Sequence, residues 1–236
     1  MKALILNSGM GSRMGMYTKE HPKCMTDLVN GETILSRQLR MLEEANVKNV
    51  VITTGYFKDV LIEYCNSLDT KLNFTFVHND IFDKTNYIYS IYCAREELKE
   101  QDIIMLHGDL VFDSSVLHDV LAFEHSCMKV SSTLPLPEKD FKAVIDNGLV
   151  RKVGVEFFES AMEAQAMYKL NKQDWKIWLD RICEFCESGN RSCYAEKALN
   201  EITDECIVYA FDVKDRLCTE IDTPEDWEKV LNILKK

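Results

Sequence analysis

The N-terminal segment reads ALILNSGMGSRM over residues 3–14, and a proline–lysine pair ends at Lys23, ten residues after Arg13. The apolar start predicts a short buried strand that runs into a glycine-rich loop. Gly9 and Gly11 allow the backbone to turn tightly, so that its N–H groups can approach an anion. Arg13 and Lys23 can neutralise the charge that the backbone does not. The segment therefore predicts a phosphate-binding loop after the first strand.

Two other kinds of glycine-rich loop do not match this segment. A dinucleotide-binding fingerprint needs a third small residue where Met14 stands, because a helix must pack closely on the strand there. A Walker loop needs Gly-Lys-Ser or Gly-Lys-Thr, which the segment lacks. A plain strand-to-helix turn with surface charges is the remaining alternative. The paired Arg13 and Lys23, at this spacing, favour the phosphate loop over that turn.

The composition indicates a globular protein with one substantial core. The 236 residues are 46% hydrophobic, which is enough to form the core of one domain. Thirty-nine acidic and 28 basic residues give a net charge of −11, which disfavours non-specific binding to nucleic acid or to an anionic membrane. The sequence shows neither a secretory leader nor the roughly eighteen apolar residues of a membrane span. We expect a cytoplasmic protein without nucleic-acid or membrane partners, and its oligomeric state is left open.

The cysteine pattern favours core positions over a metal site. Nine cysteines, an odd number, are scattered through apolar patterns, which is typical of a reducing compartment. Cys183, Cys186, Cys193 and Cys206 could suggest a zinc site. One helical face, however, contains Trp175, Trp178, Leu179, Ile182, Cys183 and Cys186. This spacing predicts a helix with buried cysteines.

The first half of the chain alternates strands and helices. Apolar runs predict strands over residues 3–7, 50–54, 74–77 and 103–106, with amphipathic helical patterns between them. This rhythm is typical of an α/β fold with a doubly wound, mixed and mostly parallel sheet.

After about Cys127 the pattern changes to an antiparallel and helical one. Residues 129–133 look extended, and Asn147-Gly148 predicts a hairpin turn because these residues accept positive φ. Helices are expected over residues 173–187 and 195–199, strands over 207–211 and 217–221, and a capped helix from Pro224. We therefore expect a single domain over residues 1–236, with a small subdomain at about 127–205.

Two aspartates are candidate metal ligands because of their positions. Asp109 follows a buried strand at the edge where open α/β sheets bind ligands, and Asp222 lies between a strand and the last helix. Magnesium bound to a triphosphate commonly takes only one or two protein carboxylates. Asp222 could alternatively cap the helix that follows it. The five histidines, including His107, show no ligand spacing and are expected in loops or on the surface.

The order of these features resembles the sugar-phosphate nucleotidyltransferase superfamily, which includes the MobA-like NTP transferases. The loop with Arg13, the pair at Lys23, Gly108-Asp109 and Glu220-Ile221-Asp222-Thr223 occur in the order that this family shows. The length and the C-terminal end are most similar to its phosphocholine cytidylyltransferase branch. The chain departs from the family where residues 14–18 lack the usual proline of Arg-x-x-Pro-Leu-Thr.

The resemblance implies a Rossmann-like nucleotidyltransferase fold with an acceptor-binding insertion, and a role for each matching residue. Arg13 and Lys23 would be the catalytic cations on the triphosphate, and Asp109 and Asp222 would hold Mg²⁺. The implied nucleotide site consists of Asn7, Ser8, Gly9, Gly11, Ser12, Arg13, Lys23, Asn79 and Asn86. Asn79 could read a pyrimidine edge or close a turn, and Asn86 could alternatively cap the helix that follows.

The resemblance implies transfer of CMP from CTP to a small phosphorylated acceptor, with release of pyrophosphate, for cell-surface or capsule precursors. Aromatic and acidic residues in the second half favour an amine-bearing acceptor such as phosphocholine, since aromatic faces attract cations. Glu159, Tyr168 and Tyr194 are the candidate acceptor-binding residues. Phosphoglutamine, 2-aminoethylphosphonate or a sugar 1-phosphate are alternative acceptors. A non-catalytic nucleotide-sensing domain is a further alternative.

Overall fold

A computed structural model of the protein describes residues 1–235, and within them nine strands form one mixed sheet. Its order is β3-β2-β1-β4-β9-β6-β10-β8-β7, and β5 and β11 form a separate antiparallel pair. The strands are β1 (Lys2–Asn7), β2 (Asn49–Thr54), β3 (Asn73–His78), β4 (Ile103–His107), β5 (Leu110–Phe112), β6 (Cys127–Ser131), β7 (Lys142–Asp146), β8 (Leu149–Gly154), β9 (Ala161–Leu170), β10 (Tyr209–Asp212) and β11 (Cys218–Glu220).

The helices cover both faces of the sheet. They are α1 (Ile34–Glu44), α2 (Lys58–Ser67), α3 (Tyr87–Cys93), α4 (Arg95–Leu98), α5 (Ser114–Ala122), α6 (Lys172–Glu187), α7 (Glu196–Leu199) and α8 (Pro224–Leu234). A capping box of Thr33 and Ser36 fixes the start of α1, because each side chain bonds the other residue's backbone N–H. Two 3-10 segments, Ser12–Thr18 and Lys23–Met25, follow β1.

Strand β1 is the centre of the parallel half. It pairs in parallel with β2 on one side and β4 on the other, so that Leu6 stands opposite both Thr53 and His107. Leu4 and Leu6 belong to the core on one face of the sheet, and Ala3 and Ile5 belong to the core on the other. A strand buried on both faces reads as a continuous apolar run. The predicted doubly wound, mixed α/β fold is confirmed.

Strand β9 was not predicted from the sequence, although it is ten residues long and lies between β4 and β6. Its apolar residues alternate mostly with polar residues that are also buried. Glu163 accepts a hydrogen bond from Lys129 Nζ at 2.5 Å, and Gln165 donates to the same carboxylate at 3.0 Å. Buried charges are retained when they are paired and hydrogen-bonded. Through β9 the second half of the chain continues the main sheet, and the subdomain boundaries at about 127–205 stay a prediction.

Other predictions for the second half agree with the structure. The hairpin joins β7 to β8 through Asn147 and Gly148, both with positive φ (50° and 79°). Cys183 and Cys186 lie in α6 rather than on a turn, and all nine cysteines are free thiols. Within residues 1–235, no helix is long and apolar enough to cross a membrane.

Candidate active site at the carboxyl edge of the sheet

The glycine-rich loop leaves β1 at the edge where the parallel strands β1, β2 and β4 end. Gly11 has φ +63°, and a Cβ at this position would lie 3.1 Å from Cβ of Lys23. Positive φ strains most side chains, so this position favours glycine. Thr18 Oγ1 donates to the Gly11 carbonyl at 3.0 Å, and buried Met14 belongs to the apolar cluster that includes Val230 of α8. The loop is therefore anchored at both ends without the family's proline.

Lys23 lies between the two predicted metal-binding aspartates. Its Nζ is 2.5 Å from Oδ2 of Asp109 and 2.6 Å from Oδ1 of Asp222. Arg13 Nη1 is 2.8 Å from the other oxygen of Asp222. Residues as far apart in the sequence as Arg13 and Asp222 thus meet at one point. The Arg13 side chain is 63% exposed, whereas that of Lys23 is 15% exposed.

Backbone pairing brings Asp109 and Asp222 together. Asp109 lies between β4 and β5, and Asp222 follows β11, the strand that pairs with β5. The Ile221 N–H donates to the Asp109 carbonyl at 3.0 Å. The N-cap of α8 is Thr223, in a capping box with Asp226. The Asp222 carboxylate therefore faces the two cations instead of capping the helix.

The electrostatics of this cluster favour the charged forms of Asp109 and Lys23. Burial opposes the charge on Asp109, but the Lys23 ammonium outweighs burial and holds the pKa of Asp109 below its usual value. Burial likewise opposes the charge on Lys23, but Asp109 and Asp222 outweigh it and raise the pKa of Lys23. Opposite charges within about 4–6 Å favour the charged forms.

The donor set at this point fits a magnesium ion. Asp109 and Asp222 converge on one small cationic group, the Lys23 ammonium. Both offer carboxylate oxygens, which are the ligands that Mg²⁺ takes together with water and phosphate oxygens. A metal held by these two oxygens would require the Lys23 ammonium to move. The phosphates of a bound nucleotide would then be the natural partners of that ammonium.

His107 is part of this site, contrary to the expectation of a loop or surface position. It ends β4, and its Nδ1 lies 2.8 Å from Oε1 of Glu220 on β11. Burial alone would lower the pKa of His107, but the Glu220 carboxylate outweighs burial and raises it to about 9. A sequence signal existed: His107 and Glu220 each stand at the end of a strand, two residues before a candidate metal ligand.

Two cavities flank the glycine-rich loop and meet at Asp109. The first, about 320 Å³, is lined by Asn7, Gly9, Met10, Gly11, Ser12, Arg13, Pro22, Lys23 and Asp109, among others. The second, about 260 Å³, is lined by Ser8, Asn79, Phe82, Thr85, Asn86, Tyr87 and His107, among others. These two cavities, together called the nucleotide cavity below, bring together all the residues predicted to bind the nucleotide.

The two asparagines of the predicted base site are occupied by internal hydrogen bonds. Asn79 Nδ2 donates to the hydroxyls of Thr85 and Ser90 at 3.0 and 3.1 Å, and its Oδ1 accepts from Ile81 N–H. Asn86 Oδ1 accepts from the Tyr87 N–H at 2.7 Å and caps α3. Both residues therefore shape this wall of the nucleotide cavity, and a role in reading the base stays a prediction. Ser8 Oγ is buried and, within residues 1–235, has no hydrogen-bond partner.

A further cavity of about 170 Å³, called the acceptor cavity below, lies on the other side of Asp109. It is lined by Arg13, Tyr87, His107, Asp109, Lys139, Asp140, Phe141, Val155, Tyr194, Glu220 and Asp222. The Tyr194 ring lies 5.1 Å from that of Phe141 and 5.9 Å from that of Tyr87. Aromatic faces and carboxylates therefore line the same small space.

The three residues predicted to bind the acceptor occupy different places. Tyr194 lines the acceptor cavity. Tyr168 is fully buried in β9, and its hydroxyl donates to Glu196 Oε1 at 2.9 Å, so it lies behind the cavity wall. Glu159 is exposed in the turn before β9 and is not among the residues that line the cavity. Tyr87 and Phe141, which do line it, were not predicted, because residues 87 and 141 are close only in the folded chain.

Comparison with known proteins identifies a family and a fold. The model of the MobA-like NTP transferase domain matches residues 3–130. A CTP:phosphoglutamine cytidylyltransferase of Campylobacter jejuni is 33% identical over 48% of this chain and 45% of its own length. The chain thus spans less than half of that relative. A choline-phosphate cytidylyltransferase of Streptococcus pneumoniae is 24% identical over 100% of this chain and 99% of its own.

The fold is shared with solved structures along the whole chain. The structure of the CTP:phosphocholine cytidylyltransferase from Streptococcus pneumoniae superposes with a TM-score of 0.78 and covers 99% of this chain and 98% of its own, at 20% identity. This likeness establishes the architecture.

Proposed function

Because this chain belongs to the family of MobA-like NTP transferase domains, we propose that it is a Mg²⁺-dependent cytidylyltransferase. It transfers CMP from CTP to a small, amine-bearing phosphorylated acceptor such as phosphocholine, and releases pyrophosphate. The observation that carries the proposal is the meeting of Lys23 with Asp109 and Asp222 at 2.5 and 2.6 Å, beside the glycine-rich loop. Two converging carboxylates with a cation between them suit the binding of a metal-bound triphosphate.

The reaction is an in-line attack of an acceptor phosphate oxygen on the α-phosphorus of CTP, with pyrophosphate as the leaving group. The acceptor phosphate is largely ionised near pH 7, so its attack needs no strong general base. Mg²⁺ held by Asp109 and Asp222 would neutralise phosphate charge and orient the triphosphate. Lys23 and Arg13 would stabilise the charge that develops on the α-phosphate and the pyrophosphate. Catalysis then rests on positioning and charge neutralisation.

The choice of CTP rests on the relatives described above, both of which are cytidylyltransferases. The product would serve the synthesis of cell-surface or capsule precursors.

The acceptor cavity supports a cationic or zwitterionic acceptor. The rings of Tyr87, Phe141 and Tyr194 and the carboxylates of Asp140 and Glu220 line it. Ring faces attract a quaternary ammonium, which cannot donate hydrogen bonds, and nearby carboxylates add to that attraction. Arg13, shared with the nucleotide cavity, stands where an acceptor phosphate would have to approach CTP. Phosphoglutamine and 2-aminoethylphosphonate share the same charge pattern and are the nearest alternatives.

The test is pyrophosphate release measured over a grid of substrates. The four nucleoside triphosphates are combined with phosphocholine, phosphoethanolamine, 2-aminoethylphosphonate, phosphoglutamine and two sugar 1-phosphates, with and without Mg²⁺. We expect turnover only with CTP, Mg²⁺ and an ammonium-bearing acceptor. A preference of tenfold or more in kcat/KM for a sugar 1-phosphate would overturn the assignment of the acceptor. Tight CTP binding without turnover on any acceptor would favour the nucleotide-sensing alternative.

A further inference from the structure

Glu196 is a buried carboxylate that the proposed reaction does not use. It begins α7 and is 1% exposed. Its Oε1 accepts a hydrogen bond from the Tyr168 hydroxyl at 2.9 Å, and its Oε2 accepts from the Tyr87 hydroxyl. A buried carboxylate is costly unless its oxygens are hydrogen-bonded, so the contacts to these two phenols fix all three side chains relative to each other.

Tyr87 is the wall that the nucleotide cavity and the acceptor cavity share. Its side chain lines both of them. Its ring packs edge-on against His107, with 4.8 Å between ring centroids, and lies 5.9 Å from the ring of Tyr194. A displacement of this ring would therefore change the shape of both substrate sites at once.

The segment that carries Glu196 also holds the backbone beside Tyr87. The Asn86 N–H donates to the Arg191 carbonyl at 2.9 Å, and Ser192 Oγ donates to the Lys84 carbonyl at 3.0 Å. Residues 191–196 and residues 84–87 thus form one hydrogen-bonded unit. The Glu196 carboxylate, at the end of this unit, contacts Tyr87, whose side chain lines both cavities.

We propose that Glu196 is a positioning residue that fixes Tyr87 as the common wall of the two substrate sites and so sets the affinity for both the nucleotide and the acceptor. The proposal rests on the proposed function, since it requires two substrates that bind on either side of Tyr87. Glu196 acts through the hydrogen bond to the phenol and touches neither substrate.

The test compares three variants in steady-state kinetics and thermal unfolding. Glu196→Ala removes both hydrogen bonds, whereas Glu196→Gln keeps the side-chain shape, and its amide can accept from one phenol and donate to the other oxygen. Asp174→Ala is the matched control, because Asp174 also accepts two hydrogen bonds, from Ser126 and Ile207, within the same half of the chain. Asp174 lines neither substrate cavity.

We expect Glu196→Ala to raise the KM of CTP and of the acceptor by about fivefold or more each, since a small displacement of a group that positions substrate has a large effect on the kinetics. Glu196→Gln should return both constants to within about twofold of wild type, as geometry rather than charge is restored. Asp174→Ala should lower Tm and leave both KM values unchanged. Should Glu196→Ala prove too unstable, Tyr87→Phe removes only the hydroxyl and should raise both KM values as well.

The outcomes separate this proposal from the proposed function. Unchanged KM values in Glu196→Ala, equal effects in Asp174→Ala, or a Glu196→Gln variant as impaired as Glu196→Ala would overturn the positioning role while wild-type turnover stands. Calorimetric titration of CTP into each variant provides a readout without turnover, and Glu196→Ala should bind CTP more weakly than Asp174→Ala does. A wild-type protein that neither binds CTP nor releases pyrophosphate would instead overturn the proposed function.

Discussion

The imidazole of His107 and the carboxylate of Glu220 form an ion pair, with Nδ1 and Oε1 2.8 Å apart. Each residue stands two positions before a candidate metal ligand, His107 before Asp109 and Glu220 before Asp222. The pair therefore joins the two segments that carry the converging carboxylates. It also lies beneath Tyr87, whose ring contacts the imidazole. The pair thus adds to the Lys23 ammonium, which lies between the two carboxylates, in holding Asp109 and Asp222 near one another.

The first prediction is that Glu220→Gln weakens metal binding more than it weakens the fold. The substitution removes the partner of His107 and so loosens the segment that carries Asp222. Mutation of residues that support metal ligands typically lowers metal affinity about 10–100-fold. We expect the Mg²⁺ concentration for half-maximal thermal stabilisation in the presence of CTP to rise about tenfold. Glu32→Gln, which removes a surface partner of Arg37 and Arg40, is the control and should leave this concentration unchanged. Equal shifts in both variants would contradict the prediction.

The second prediction concerns the candidate metal ligands themselves. Asp109→Asn and Asp222→Asn should each nearly abolish turnover, because each removes a formal charge from the point where metal and phosphates meet. The fold should persist, since the backbone pairing of β5 with β11 does not use these side chains. Pyrophosphate release is measured across a Mg²⁺ titration, with circular dichroism as the check on folding. A variant with the wild-type rate at low millimolar Mg²⁺ would remove that residue from the site.

The third prediction concerns the two cations. Lys23→Ala and Arg13→Ala should each lower kcat by about a hundredfold or more, comparable to the loss of a preorganised donor to a developing anion. Lys23→Ala has a second consequence in the protein without nucleotide. Its removal leaves Asp109 and Asp222 facing each other without their shared ammonium, so the free protein should gain more thermal stability from Mg²⁺ than wild type does. A normal rate in either variant would show that the loop has only a structural role.

The sequence predicted those parts of the site that each carry a signal within a short stretch of sequence. The loop up to Arg13, the pair at Lys23 and the strand ends at Asp109 and Asp222 carry local signals, namely glycine spacing, paired cations and position after an apolar strand. The family resemblance and the fold that followed from them are confirmed by the family match and by the architecture. Roles of individual residues stay predictions.

The parts that the sequence did not predict depend on contacts between distant residues. In strand β9 the small apolar residues Ala164 and Ala166 alternate with polar ones, which is a weak strand signal. Glu163 on the polar face is buried because Lys129 of the neighbouring strand neutralises it. His107 became a site residue through Glu220, which follows it by 113 positions. The acceptor cavity combines Tyr87 of the first half with Phe141 and Tyr194 of the second half, so aromatic content in the second half could not indicate Tyr87. Such pairings are fixed by topology, which the local pattern does not contain.

The fourth prediction concerns thiol reactivity. Burial raises the pKa of five thiols to about 12 and that of Cys24 well above its usual value; the five are Cys65, Cys127, Cys186, Cys206 and Cys218. The thiolate is the reactive form, so these groups should not react near pH 8 while the protein is folded. Mass spectrometry after iodoacetamide treatment should find modification confined to the partly exposed Cys93, Cys183 and Cys193. Rapid labelling of the six buried thiols in native protein would contradict the described packing.

The last prediction concerns the close approach of Gly108 to Asn7 where β4 and β1 end. A Cβ at position 108 would lie 1.6 Å from Oδ1 of Asn7, so Gly108→Ala must displace that side chain. Asn7 is held by the buried hydrogen bond between its N–H and Thr53 Oγ1 and is itself 9% exposed. Overpacking of this kind typically costs about 1–3 kcal/mol.

Urea denaturation of Gly108→Ala, Asn7→Ala and the double variant measures the coupling between the two positions. Because Asn7→Ala removes the obstructing atoms, the double variant should recover most of the free energy of unfolding that Gly108→Ala loses. Gly9→Ala is the control for adding a methyl group beside this loop, since a Cβ there meets no atom within 4 Å. Additive losses in the double variant would mean that glycine is required at position 108 for some reason other than the Asn7 side chain.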